Sequence, residues 1–282
     1  MALAGNMKSS ETEVMLPTYF ISHGGGPWVW INEQKPLYAK LKESLEAMPR
    51  EIGTIPKAIL AVSGHWEERD FAVMTSPAPP MLYDYSGFPA HTYQVRYNAP
   101  GSPAIAERVL ALLAAAGIEA RPNAVRGFDH GVFVPLAVAY PEANVPVLQL
   151  SIRRDYDPET HLAVGRALAP LSREGVLIVA SGLTYHNLRH FGPQAQIPSR
   201  EFDAWLTETL CNSTSQARSE KLKNWSQAPS ARVAHPREDH LIPLLVAVGA
   251  AEAETASRVY HEDSFFGGIA VSSYRFGSIY NN

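Results

Sequence analysis

Five short runs stand out where apolar residues follow one another with little interruption: Thr18–Ser22, Ala58–Ser63, Val145–Ile152, Gly175–Ser181 and Gly268–Ser272. Most are rich in Val, Ile or Leu and close on Ser, Gly or Pro, which predicts buried strands. Between them the period changes. Lys35–Met48 places Leu37, Leu41, Leu45 and Met48 three or four residues apart, on one helix face. Ser102–Ala116 opens with a capping serine before a proline, then runs through Ile105, Val109, Leu110 and Leu113. Pro158–Leu171, Phe202–Asn212 and His240–Ala251 predict further helices. Strands alternating with helices predict an α/β sheet covered on both faces. Pro77–Pro103, rich in Pro, Tyr and Gly, predicts a long ordered loop over the sheet edge, and the polar stretch Ser213–Ser230 a mobile insertion. Neither reads as a domain seam, so residues 17–282 are taken as one domain after a flexible lead-in, residues 1–16.

Composition narrows the function classes. With 46% apolar and 18% charged residues in 282, the chain can bury a large core, which excludes intrinsic disorder. Twenty-four basic against 28 acidic residues leave −4 with no block of like charge, so neither nucleic acid nor an anionic membrane finds a basic face. No apolar run approaches the ~20 residues of a bilayer span, and Met1–Leu16 lacks the uninterrupted apolar core of a signal peptide. The one cysteine, Cys211, excludes an internal disulfide and any thiolate-rich metal site. It lies in a helical stretch without a nearby base and reads as inert packing. A cytoplasmic globular protein is expected.

Histidine is where chemistry is concentrated. There are ten, and three sit just beyond predicted strands and beside glycine: His23 before Gly24-Gly25-Gly26, His65 after Gly64, and His186 four residues after Gly182. Ligands of open α/β sheets bind beyond the carboxyl ends of the strands, so these three are candidates for one crevice. His240, at a helix start, faces it from the helix side. Each is also readable as an ordinary hydrogen-bonded histidine, and imidazole suits Fe, Zn, Cu and Ni alike. Gly24-Gly25-Gly26 lacks the spacing of a phosphate loop, and neither Ser63 nor Ser181 sits in a G-x-S-x-G elbow.

Taken together, the segments resemble the class III extradiol ring-cleavage dioxygenases, in the 4,5-DOPA extradiol branch related to the LigB catalytic subunit. The carriers occur in the family's order over nearly the whole chain after Pro17. They are Ser22-His23-Gly24, Ser63-Gly64-His65-Trp66, Tyr97-Asn98-Ala99-Pro100-Gly101-Ser102-Pro103 and Gly127-Phe128-Asp129-His130-Gly131, followed by Val147–Ile152, His186-Asn187-Leu188-Arg189, and Glu238-Asp239-His240 running into Leu241-Ile242-Pro243-Leu244. The resemblance implies a single-domain three-layer α/β/α sandwich around a central mixed, mostly parallel sheet. It implies His23, His65 and His240 as metal ligands, with His240 standing where the LigB subunit itself uses a glutamate and His235 as the competing ligand of that segment. His186 corresponds to the active-site base, recruited as a fourth ligand in some zinc-bound members, and His130 to the histidine facing the oxygen site. After the first histidine, near relatives carry Gly-Ser-Pro-Met where this chain has Gly24-Gly25-Gly26-Pro27-Trp28, a change beside the metal that bears on substrate.

The implied reaction opens the ring of a small aromatic diol, DOPA-like or related, with O2 on functional Fe(II), and Zn(II) is able to occupy the same nitrogens. A base working near neutrality suits histidine, hence His186. Trp28, Trp66 and Tyr85 are candidates to line an aromatic substrate slot, and Asp129 and Asp239 to orient neighbouring histidines. Two rivals remain: a zinc hydrolase, for which no His-Glu-x-x-His helix is present, and a non-catalytic Memo-type binding protein, which need not keep both a base and a ligand set.

Overall fold

The apolar runs become the interior of one sheet. The structure, a computed structural model, describes residues 15–279. Its strands are β1 Thr18–Ser22, β2 Ala58–Glu68, β3 Phe71–Met74, β4 Ala120–Asn123, β5 Val147–Arg153, β6 Val176–Gly182, β7 Ala256–Phe265 and β8 Ile269–Phe276, in the order β4-β3-β5-β2-β6-β1-β8-β7. The centre, β5-β2-β6-β1, is parallel throughout. Antiparallel pairings join β3 to β5, β8 to β1 and β7 to β8, and β4 runs parallel to β3 at the far edge. β1 and β6 are buried at every residue, and β5 at every residue but its last. Burial on both faces is why their sequences read as unbroken apolar runs rather than as alternation. β4, Ala-Arg-Pro-Asn, lies at the exposed edge, where proline is tolerated and no apolar run is needed.

The helices are α1 Ala39–Ile52, α2 Pro103–Ala115, α3 His130–Ala139, α4 Pro158–Leu168, α5 Gln196–Cys211, α6 Ser215–Lys223, α7 Ala231–Ala234 and α8 Ile242–Ala250. They make the outer layers of the α/β/α sandwich. α1 and α3 pack together, with α3 against β2 and β6, while α4 and α8 pack together, with α8 across β1, β2 and β6. No helix among the described residues is long and apolar enough to cross a membrane.

Several boundaries differ from expectation. The helix expected from Lys35 begins as a 3-10 turn, Lys35–Tyr38, and the one expected from Phe202 begins at Gln196. The last helix starts at Ile242, which leaves His240 in the turn before it. Ser213–Ser230, expected to be mobile, is built into the fold. Leu222 and Trp225 are core residues, and the Arg218 guanidinium, only 2% exposed as a residue, donates to the carbonyls of Leu210, Glu252 and Glu254. Its polar sequence hides this because the burial is held by hydrogen bonds rather than by an apolar face. The lead-in falls outside the described residues up to position 14, and Leu16 is already buried, its amide donating to Ser172 O.

Candidate metal centre

The parallel strands β1 and β6 end together, Ser22 opposite Gly182, with Ser63 of β2 paired to Ser181 beside them. His23 therefore leaves β1 at the sheet edge where β6 stops. β2 does not stop. Between Val62, opposite Leu150, and Glu67, opposite Ile152, it takes five steps against two on β5, and this bulge carries His65. Bulges next to active sites re-aim a side chain in this way. His240 arrives from another segment, and two glycines admit it. A Cβ on Gly182 would lie 2.1 Å from the His240 carbonyl oxygen, and one on Gly64 2.6 Å from that of Asp239. With no side chain at either position, the Leu183 amide donates to His240 O at 3.1 Å and pins the turn onto the strand ends.

The three imidazoles meet at their Nε2 atoms. His65 Nε2 lies 3.2 Å from His23 Nε2 and 3.2 Å from His240 Nε2. The other ring nitrogens decide what those contacts are. The Ser181 hydroxyl donates to Gly131 O, so its oxygen accepts from His23 Nδ1 at 2.9 Å. His65 Nδ1 is 3.4 Å from Asp84 Oδ2, and His240 Nδ1 is 3.1 Å from Asp239 Oδ2, off the line of a well-formed hydrogen bond. Each Nδ1 faces an oxygen that calls for a proton there, which leaves each Nε2 a bare lone pair. Three lone pairs pressed together repel unless a cation lies among them. Nitrogens about 2.0–2.1 Å from a metal, at tetrahedral to octahedral angles, would stand about 2.9–3.4 Å apart, the spacing found here. The donor set fits a divalent metal.

Electrostatics hold the rings in the ligating form. Burial, then the neighbouring imidazoles, push His23 well below the ordinary histidine value of 6.5. Burial and His130 lower His65 to about 4, against the pull of Asp129 and Asp84. His240 is pushed well down by burial and His186, with Asp239 opposing. The carboxylates answer in kind. Burial would raise Asp84, yet its bonds to His130 bring it to about 2. Burial likewise works to raise Asp239, but His186 and His240 hold it far below the usual carboxylate range.

Two further histidines face the same space. His186, whose amide donates to Ala234 O at 2.9 Å, stacks on His240 with 3.4 Å between centroids and sets Nδ1 3.8 Å from Asp239 Oδ1. His130 opens α3 with its amide and Nδ1 both 2.9 Å from Asp84 Oδ1, and Nδ1 equally close to Oδ2. Its Nε2 is thereby the nitrogen left for a ligand. Ligand atoms of His23, His65 and His130 lie within 4.8 Å of one another, as do those of His186, Asp239 and His240. His235 does not join them. Its ring is buried against Phe202 and Trp225, with Nε2 donating to Thr184 O at 3.0 Å.

Asp84 was not anticipated. It sits inside the Pro77–Pro103 loop, zipped to the neighbouring segment by Phe128 N to Pro80 O at 2.9 Å and Leu82 N to Phe128 O at 2.8 Å. That pairing carries it under His130. Asp129, expected to orient a histidine, instead accepts from Ser63 Oγ, Arg126 and Gln149, and reaches His65 only through Ser63, whose oxygen accepts the His65 amide at 3.1 Å.

A cavity of about 390 Å³ opens over the cluster. The three aromatic residues expected to line it lie elsewhere. Trp28 is buried behind the Gly24 turn, stacked on Tyr38 at 4.6 Å and donating to His23 O. Trp66 is buried under Arg126 and bonds Glu68, and Tyr85 stands behind His130 with its hydroxyl on Thr92 O. The wall is made by Tyr38, Phe88, Leu188, Phe191, Phe265 and Phe266. Phe266, at φ +46° in the β7–β8 turn, occupies a backbone region bulky side chains rarely adopt. A larger cleft, about 820 Å³, opens at the opposite end of β1 by Leu16 and Arg166, and no histidine lines it.

The model of the catalytic LigB subunit of aromatic ring-opening dioxygenase matches residues 17–277. A 4,5-DOPA dioxygenase extradiol of Beta vulgaris is 41% identical over 267 residues, covering 93% of this chain and 96% of that one. A protein of the same name from Escherichia coli (strain K12) is 33% identical over 269 residues, with coverage of 93% and 95%. In fold, the crystal structure of an uncharacterized protein from Escherichia coli K12 is similar, with a TM-score of 0.70 and 29% identity over 93% of this chain and all of that one.

Proposed function

The chain belongs to the LigB family of aromatic ring-opening dioxygenases, and from that premise we propose that it is an extradiol dioxygenase opening a catechol-type ring, with His23, His65 and His240 holding Fe(II). Catechol and O2 combine one to one, both oxygen atoms entering the ring-opened product, so no outside reductant is needed. The observation that carries the reading is the convergence of three imidazoles beneath an apolar cavity, His65 Nε2 standing 3.2 Å from Nε2 of both His23 and His240. Bound there, Fe(II) supplies Lewis-acid binding of the diol oxygens and a route for electrons to O2, and Zn(II) on the same nitrogens supplies only the former.

The remaining roles belong to this chain's side chains. His186 lines the cavity beside His240 and takes the proton of a catechol hydroxyl, with Asp239 behind it to hold the ring. His130 offers Nε2 to the opposite side of the cluster, where it bonds oxygen atoms as negative charge develops on them. Asp84, by occupying its Nδ1 and its amide, keeps that ring from turning. The aromatic wall excludes water and grips the ring's faces.

Anaerobic loading with Fe(II), then addition of a panel of catechols and air, tests the proposal. Uptake of one O2 per diol with a yellow product is expected. A protein that binds Fe(II) tightly yet consumes no O2 with any catechol would overturn it.

A further inference from the structure

The cavity over the cluster carries more information than the reaction requires. Among the described residues that line it there is no Lys, Arg, Asp or Glu; the ionisable groups are the histidines of the centre, Tyr38 and Tyr185, the last donating its hydroxyl to His190 O at 2.6 Å. Both nearby carboxylates face away from the opening: Asp84 is taken by His130 and Asp239 by His186 and His240. Tyr38 Oη accepts the Gly25 amide at 3.1 Å, and burial pushes the phenol up to about 12, so it stays uncharged. Beyond the histidines the wall is Phe88, Phe191, Phe265 and Phe266, with Leu188 at the rim, 73% exposed.

That wall is held in place at some cost. Phe266 keeps its left-handed backbone because three rings clasp it: Phe265 at 4.6 Å, Phe191 at 5.1 Å and Tyr38 at 5.8 Å between centroids. A bulky residue retained at such an angle, where glycine would be free of strain, marks a position whose side chain is used. The other polar feature is Gln34. Its Oε1 is buried with no hydrogen-bond partner among the described residues, and a neutral amide can meet a hydroxyl but cannot neutralise a charge.

We propose that this site selects catechols bearing an uncharged, apolar substituent, alkyl or aryl, packed on Phe88, Phe191 and Phe266, over catechols whose side chain carries a carboxylate and an ammonium. The selection rests on the ring-cleavage reading only in that the diol end is anchored at the histidines. A charged arm laid along this wall would lose water and meet no group of opposite charge, whereas each buried methylene of an alkyl arm gains about fourfold in binding.

The test compares catechol, 4-propylcatechol and L-DOPA in two measurements on the full chain: kcat/KM with Fe(II), and calorimetric Kd with Zn(II), where no turnover intervenes. 4-Propylcatechol is expected to exceed L-DOPA at least tenfold in both. Phe266→Ala should erase most of its advantage over catechol, a ratio in which any loss common to both diols cancels, and Phe191→Ala serves if the first variant melts early. Leu188→Arg, at the exposed rim, should shift the preference towards L-DOPA. Equal or tighter binding of L-DOPA to the wild-type zinc protein overturns the proposal, whatever the iron enzyme does. If no diol is cleaved but 4-propylcatechol binds at least tenfold more tightly, ring cleavage fails and the selectivity stands.

Discussion

Buried histidines occur in two regions of this protein, and their ring nitrogens separate them. In the core, His161 donates Nδ1–H to Asp157 O at 2.7 Å and accepts the Arg153 amide on Nε2 at 3.0 Å. His235 spends one nitrogen on Thr184 O. At the strand ends, each Nδ1 of His23, His65 and His240 also faces an oxygen, but each Nε2 faces only another Nε2. Burial lowers both groups, His161 to about 4 and His235 to about 3, so a depressed pKa does not distinguish them. The partner of the second nitrogen does. One that meets a backbone group, as in His161, or that lies against aromatic rings without a partner, as His235 Nδ1 does among the described residues, completes a fold; one that meets its own kind waits for a metal.

The sharpest way to break this comparison is to remove the imidazole in the middle. His65→Ala should lose the metal, from about one ion per chain to less than a tenth by elemental analysis, with activity down at least about 1,000-fold. Retention of full metal would move the centre to the group of His186, Asp239 and His240. His186→Ala should separate the roles: metal content unchanged, kcat lower by about 10²–10⁴-fold. If that variant turned catechols over at the wild-type rate, the base would lie elsewhere. Asp84→Asn should act less strongly, about 10–100-fold on kcat, because it weakens the acceptor that locks His130 and that His65 Nδ1 faces at 3.4 Å. Metal content and KM should hold; a matching fall in Fe(II) affinity would instead put the main effect of Asp84 on the metal ligands.

The sequence discloses the two regions unequally. β1, β2, β5, β6 and β8 were legible because strands buried on both faces cannot hide their apolar runs. β3, Phe71–Met74, is apolar throughout but only four residues long, and the polar edge strand β4 offered no such run. α3 was missed for the opposite reason: nine of its ten residues are buried, so it has no polar face to set a helical period. Of the site, the histidines and their glycines could be read along the chain, since Gly64 and Gly182 mark where backbone must pass close. Asp84 could not, because its link to His130 spans 46 residues and depends on how a loop is zipped. Trp28 and Trp66 stand within five residues of His23 and His65 yet line no part of the cavity, and neither does Tyr85, whereas Phe265 and Phe266 arrive from a hairpin more than 200 residues after His23.

The smallest effect tests the other half of the comparison, the histidine that completes the fold. With Nδ1–H given to one backbone group and Nε2 accepting another, His161 fits its site only when neutral, and a second proton would displace the Arg153 amide. Its pKa is about 4 folded against 6.5 for the free side chain. Between those values the unfolded chain binds the proton and the native one does not, so stability rises with pH there. His161 therefore contributes fully above about pH 6.5, loses that contribution as pH falls towards 4, and changes nothing below. The difference amounts to at most about 3 kcal/mol over the window. In urea unfolding of the metal-free protein, His161→Gln should be the less stable at pH 7.5, with the gap to wild type closing as pH falls to 4 and activity at neutral pH little altered. Parallel stability curves across that range would mean that His161 takes up its proton as readily in the native protein as in the unfolded chain, and that an occupied pair of ring nitrogens does not identify a structural histidine.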